Sequence, residues 1–376
     1  MRVLWIDLIS ELGGAQYSLL EVCRGLSACG IDIAVAVPPG PLSDALSAKG
    51  IPVHPVAPLR ASKRGWGLIA TAARLLKTTG TVTRAIRSFN PDVIHANSLP
   101  AFLSTRKVST RIPVVWHARD LRLPAPLVRI AAGRAARIIA ASDTVADYLA
   151  DTLSPRRLEH VRIICNGIDP ARFPASDRTA ARRRFGLPDA PPLVGMVAHL
   201  VPWKRHDAFI DAAAIIRARC PAVQFAAVGR DLFREHARWL AQLRGRVTQS
   251  GLEGAFHWVT DCDDASWILP AFDLLLHPAL DEPFGRVICE AMASSVPVIA
   301  AKPGGPAAII EPDVSGVLVR GGDPRRMAEE ALALLADPSR AAALAAAGRS
   351  RVLERFTVER VCGQLASEYR TLAAPS

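Results

Sequence analysis

The chain has 376 residues, half of them hydrophobic, with 46 Lys and Arg against 35 Asp and Glu and a formal net charge of +11. Its length exceeds one ordinary core and suits two domains of roughly 150–200 residues. Its apolar content and regular Gly and Pro exclude a disordered chain, and no apolar run approaches the roughly 18–20 residues that cross a bilayer.

The opening MRVLWIDLIS lacks the long apolar core of a signal peptide. The seven cysteines are scattered without a CxxC pair, which argues against a zinc site or a disulfide framework and for a reducing, cytoplasmic setting. Charge is uneven: residues 1–180 hold 23 Lys and Arg against 13 Asp and Glu, and 60–137 hold 15 basic residues against only Asp92 and Asp120. Such a field favours an acidic partner: anionic lipid headgroups, a lipid-linked phosphate or nucleic acid. Nucleic acid ranks last, because no aromatic interleaving or nucleic-acid fold signature accompanies the charge.

In chain order, Val3–Ile9 reads as a buried strand and Glu11-Leu12-Gly13-Gly14 as a tight turn. Ala15–Ala28 is an amphipathic helix with Leu19, Leu20, Val22 and Leu26 inward. Ile31–Val37 is a strand, Leu42–Lys49 a short helix and Ile51–Val56 a strand, an alternation that predicts a parallel, doubly wound α/β sheet. Gly13-Gly14 is not the G-x-G-x-x-G of dinucleotide sites; by itself it reads as a turn needing positive φ. Arg60–Asn90 mixes Trp66, Leu68, Ile69, Leu75, Leu76, Val82, Ile86 and Phe89 with Lys63, Arg64, Arg74, Lys77, Arg84 and Arg87. A sheet-covering helix pair accounts for the apolar residues, and the shortage of acids fits a face for anionic membrane.

Pro91–His95 and Ile112–His117 are the next strands. His117 stands at a strand's carboxyl end, placed either to hydrogen-bond a ligand or to act as a satisfied structural histidine. Arg137–Ser142 and Val161–Gly167 close the first sheet, and Phe173–Pro192, rich in Pro, Ala and charge, reads as a linker with no periodic apolar face beyond its middle. A second αβ series starts with the strand Leu193–Ala198, whose turn His199–Lys204 leads into a helix over Asp207–Arg219. Val223–Val228 runs into Gly229-Arg230-Asp231 and Phe256–Val259 into Thr260-Asp261. Asp261-Cys262-Asp263-Asp264 reads as a solvated acidic turn, and no metal or other cofactor is expected.

The run His277–Gly305, HPALDEPFGRVICEAMASSVPVIAAKPGG, forms one βα unit feeding the next strand. Phe272–Leu276 is the strand, Pro278–Pro283 a loop, a helix begins near Gly285, and Val296–Ala301 leads to the turn Gly304-Gly305. Glu282 lies in the loop and Glu290 about five residues inside the helix. Between them Phe284-Gly285-Arg286 presents helix-start amides, a ready anion site. Anion donors flanked by two hydroxyl-accepting carboxylates suit a nucleotide-sugar.

This string resembles the E-x7-E signature of the retaining glycosyltransferases of family 4, and Pro91-Asp92-Val93-Ile94-His95 and Asn166-Gly167-Ile168-Asp169 match that family too. The resemblance implies the GT-B fold, two facing Rossmann-like domains with parallel sheets and a substrate cleft. Residues 1–172 would bind the acceptor, with a C-terminal helix (357–376) packing back on them, and 173–356 the nucleotide-sugar. It implies transfer from a UDP- or GDP-type donor to a hydroxyl acceptor with retention. The expected acceptor is a lipid-linked glycan or cell-surface polysaccharide precursor at the inner face of the membrane.

The resemblance also implies roles. Gly13 and Gly14 would close over the reaction centre and His117 would border the sugar. Lys204, helped by Arg205 or a protonated His199, would offset the departing diphosphate. Glu282 would bind donor-sugar hydroxyls near the reaction centre, and Glu290 would hold the ribose. Gly229, Val259 and Asp261 would border the donor, with the nucleobase beside the end of Phe256–Val259. The chain departs from relatives at His199 (usually Arg), Asn97 (often His) and Ala308 (usually Glu). A sugar-nucleotide 2-epimerase of the same fold and a non-catalytic nucleotide-sugar-binding protein are the other readings.

Overall fold

The computed structural model describes residues 1–59, 67–107, 111–174 and 177–374, leaving aside the side chains of 67–72. The chain divides into two compact units, Met1–Gly167 with Val358–Ser376, and Ile168–Thr357. The border therefore falls earlier than the expected 172/173.

The first unit is built on β1 (Arg2–Ile6), β2 (Asp32–Val37), β3 (Val53–Pro55), β4 (Val93–Ala96), β5 (Val114–Ala118), β6 (Arg137–Ala140) and β7 (Val161–Ile163). All pair in parallel, in the order β3-β2-β1-β4-β5-β6-β7. The second sheet contains β8 (Leu193–Val197), β9 (Gln224–Val228), β10 (Phe256–Val259), β11 (Leu274–His277), β12 (Val298–Lys302) and β13 (Val317–Arg320). Its order is β10-β9-β8-β11-β12-β13, again parallel. Strands buried on both faces need continuous apolar runs, which VLWI and IAVAV supply in the first sheet and LLL in the second.

Strand order reverses between β1 and β4 in one sheet and between β8 and β11 in the other. Open α/β sheets bind ligands outside the carboxyl ends of strands at such switch points. The loops there carry Gly13 and Asn97 in the first unit, and His199–Lys204 and Pro278–Gly285 in the second.

The last helix, Val358–Ala373, packs on the helix Gly14–Ala28 and on β4, burying Val361, Cys362, Leu365 and Tyr369. In the basic segment, residues 60–66, with Lys63, Arg64 and Trp66, lie outside the described residues, as do the side chains of Leu68 and Ile69. The helix Gly67–Phe89 covers the sheet with Val82, Ile86 and Phe89, while Arg74, Lys77, Arg84 and Arg87 are exposed.

The expected linker is a built part of the second unit. Asp177 caps the helix Arg178–Arg184. Arg182 on that helix is buried, donating to Asp273 Oδ2 at 2.7 Å and to the backbone oxygens of Ala271, Asp189 and Pro191. An arginine reads as solvated in sequence, but its fan of donors can be fully satisfied by carbonyls that only the fold brings together.

Candidate functional site

The second unit assembles a buried polar cluster at the carboxyl ends of β8 and β11. Lys204 closes the short turn Pro202–Lys204 that follows β8, and His277 is the last residue of β11. Glu282, in the loop that follows, is 7% exposed. Its Oε2 accepts from Lys204 Nζ and lies 3.1 Å from His277 Nε2. Burial opposes ionisation of Glu282, but the Lys204 cation and the His277 hydrogen bond outweigh it and lower its pKa to about 2. The Trp203 ring lies 4.0 Å from Lys204 Nζ, a cation–π contact.

Lys204 and Glu282, to which the resemblance gives separate tasks, are thus partners. Two more histidines surround them. Burial, then the Lys204 charge, lowers His199 to about 4 and His206 to about 3. This direction opposes the expected help of a protonated His199. Arg205, in the left-handed region at φ 59°, turns its guanidinium to the carbonyl of Gly321 at 3.1 Å.

The helix Arg286–Ala293 starts at Gly285, whose φ of 97° suits glycine. Phe284 is buried, its ring 5.9 Å from that of Phe356. Glu290, 9% exposed, accepts from Arg286 Nε at 2.6 Å, so this pair forms one turn apart at the helix start. Gly305 donates to the Glu282 carbonyl at 2.7 Å, and a Cβ on Gly305 would stand 2.3 Å from Phe284 Cα. The glycine pair after β12 thus lets two backbones meet and holds the loop carrying Glu282. Gly229 donates to the carbonyl of Val259 at 2.9 Å, joining the ends of β9 and β10, and Asp261 beyond them is exposed. In the acidic turn, Asp264 binds Arg172 at 2.8 Å and caps the following turn. Among the described residues no group of three or more His, Cys, Asp or Glu is placed to hold a metal ion.

The first unit gathers a second cluster. Gly13 is extended (φ −115°, ψ −176°) and Gly14 begins the helix, so neither has the positive φ that the turn reading required. A Cβ on Gly14 would meet nothing within 4 Å. The Gly13 N–H is held by Gln16 Oε1 at 3.2 Å, and Gln16 Nε2 donates to Asp7 Oδ2 at 3.0 Å. Asn97 Nδ2 donates to the same oxygen at 2.7 Å and accepts Arg119 Nε at 2.8 Å. Arg119 also reaches Asn166 and His117. His117 is buried and bonded through Nδ1, and among the described residues Nε2 has no partner. Burial and Arg119 hold His95 and His117 well below the ordinary histidine range.

Sequence reading alone missed His277, His206, Asp7 and Gln16. The rule that singled out His117, a polar residue at the carboxyl end of a buried strand, also marks Asp7 and His277. His206 directly follows Lys204-Arg205.

Two parallel-sheet Rossmann-like units with polar clusters at their switch points define the GT-B class. The sequence matches the Glycosyltransferase Family 4 profile over residues 12–172 and the Glycosyl transferases group 1 profile over 177–351. The chain belongs to the family 4 glycosyltransferases of GT-B fold, and it is an enzyme that uses a nucleotide-sugar donor. It is 28% identical to the D-inositol 3-phosphate glycosyltransferase of Stackebrandtia nassauensis, over 96% of this chain and 87% of that one. It is also 28% identical to the GDP-mannose-dependent alpha-mannosyltransferase of Mycobacterium tuberculosis, over 97% and 94%. The structure of Anabaena Alr3699/HepE in complex with UDP-glucose superposes with a TM-score of 0.85 at 26% identity, covering 99% of this chain and all of that one.

Proposed function

We propose that the chain moves a hexose from a UDP- or GDP-sugar to a hydroxyl acceptor with retention at the anomeric carbon. The observation that carries this is the Lys204–Glu282–His277 cluster, its carboxylate and imidazole buried, beside the start of the helix Arg286–Ala293. The donors printed for similar proteins, UDP-glucose and GDP-mannose, agree with it. In this reading the helix-start amides and Lys204 take the growing charge of the departing diphosphate. Glu282, kept ionised by its neighbours, accepts from a donor-sugar hydroxyl, and Glu290 accepts from the ribose. The acceptor oxygen bonds to the anomeric carbon on the face from which the phosphate leaves. The bond from that carbon to the phosphate oxygen breaks, and the leaving phosphate takes the acceptor proton. Side chains then supply electrostatics and position, and no metal or cofactor is invoked. The acceptor is a lipid-linked glycan or polysaccharide precursor, met at an anionic membrane surface by the basic first unit. No helix of the described residues is long and apolar enough to cross a membrane.

Thermal-shift measurement with UDP- and GDP-sugars identifies the donor, since a ligand that binds only the folded state raises its stability. NMR of the hexose first released to water from an α-linked donor then reads the stereochemistry. An α product supports retention, and a β product refutes it.

A further inference from the structure

We infer that Tyr369, on the C-terminal helix, acts through His95 to hold His117 in the neutral tautomer with its proton on Nε2, making His117 a fixed hydrogen-bond donor. The inference rests on the reading that His117 borders the sugar, and adds to it two positioning residues.

The polarity follows from which groups can donate. Arg119 Nη2 stands 3.2 Å from His117 Nδ1, and a guanidinium has donors only. His117 Nδ1 is therefore an acceptor and carries no proton. His95 Nε2 lies 3.0 Å from the same atom, so it must donate. A neutral His95 with its proton on Nε2 has an accepting Nδ1, and Tyr369 Oη lies 2.6 Å from that atom. The hydroxyl thus donates to His95, His95 donates to His117, and the remaining proton of His117 sits on Nε2.

The chain of bonds is held from the side. Trp5 on β1 stacks on the His95 ring with centroids 3.7 Å apart and planes 8° from parallel, and Tyr369 is fully buried. His117 is 2% exposed, yet its Nε2 has no partner among the described residues. Buried N–H groups are paired in nearly all native structures, so an unused donor here points to a ligand oxygen as its acceptor. A sugar hydroxyl is such an acceptor. A helix contributed by the far end of the sequence therefore sets which way a substrate-facing histidine points its proton.

Labelling histidine with 15N and recording long-range proton–nitrogen correlations on the full chain shows which ring nitrogen bears the proton. Both His95 and His117 should report Nε2–H. Tyr369→Phe, which keeps the buried ring, should lower kcat/KM about 3- to 10-fold, the effect of one hydrogen bond, and should release His95 from a single tautomer, weakening its bond to His117 and shifting the His117 Nδ1 signal while Arg119 still donates there. His95→Gln, whose amide can still donate toward His117, should retain more activity than His95→Leu. A proton on Nδ1 of His117 in the unaltered protein, or an unchanged His117 signal and rate in Tyr369→Phe, overturns the relay. His117→Ala with unchanged turnover would instead sink the sugar-facing role, while the nitrogen signals would still judge the relay.

Discussion

Lys204 and Glu282, 78 residues apart in sequence, form an ion pair in which the Trp203 ring covers the ammonium and His277 supports the carboxylate. The pair exists because β8 and β11 are neighbours, Leu274 lying opposite Val194 and Leu275 opposite Gly195. Lys204 keeps the buried Glu282 carboxylate ionised, where a lone charge would be costly.

Removing either partner should therefore cost both chemistry and stability. Lys204→Ala and Glu282→Gln are each expected to lower kcat/KM by about 10- to 100-fold, the loss of a charged hydrogen bond of about 1.5–3 kcal/mol. Acid stability provides a second readout. The folded pKa of Glu282, about 2, lies below its ordinary 4.5, so its stabilisation is present above that ordinary value and is lost as pH falls through the folded one. Lys204→Met removes the main cause of the depression and should move acid unfolding to higher pH. An unchanged acid midpoint would mean that the pair is not coupled in solution.

Glu290 and Arg286 lie one helical turn apart and are both buried. Glu290→Ala takes away the carboxylate proposed for the ribose and leaves Arg286 without this bond. Activity should drop about 10- to 100-fold, with the larger part in the donor KM. Replacing the nucleotide by its 2′,3′-dideoxy analogue should cost the unaltered enzyme more than the variant. Equal penalties would remove Glu290 from the ribose.

Four histidines with depressed pKa values make a different kind of prediction. His95, His117, His199 and His206 all titrate below the ordinary value, each first because of burial. The unfolded chain regains protons below about pH 6.5, so folding stability should fall as pH drops from 6.5 toward the folded values. Calorimetric unfolding at pH 5.5 in buffers of differing ionisation enthalpy measures the protons taken up. His206→Leu should reduce that uptake by about one proton and flatten the slope by about 1.4 kcal/mol per pH unit. Unaltered uptake in this variant would show His206 charged in the folded state.

Much of this architecture was readable from sequence, because strands buried on both faces must be continuous apolar runs and glycines punctuate their ends. VLWI, IAVAV and LLL placed β1, β2 and β11, and the Glu-Pro-Phe-Gly string placed the start of the helix Arg286–Ala293. The partnership of Lys204 with Glu282 was not readable, since spacing along a chain says nothing about which parallel strands become neighbours. The depressed pKa of His199 was not readable either, because its partial burial and the nearby Lys204 cause it, and both are properties of the fold. Arg182 misled in the same way, an arginine in an apparent linker that is 2% exposed.

Two glycines separate a packing requirement from a requirement for space. A Cβ on Gly305 would lie 2.3 Å from Phe284 Cα, so Gly305→Ala must push apart the backbone that carries Glu282. It should destabilise the protein by about 2–4 kcal/mol and cut activity with it. A Cβ on Gly14 meets nothing within 4 Å, and alanine favours a helix by up to about 1 kcal/mol over glycine. Gly14→Ala should therefore leave the melting temperature unchanged or slightly raised. If substrate occupies the open space above this helix start, the variant should still lose at least about tenfold in kcat/KM. Full activity in a folded Gly14→Ala enzyme would show that the space is not used, and would withdraw Gly13 and Gly14 from the site.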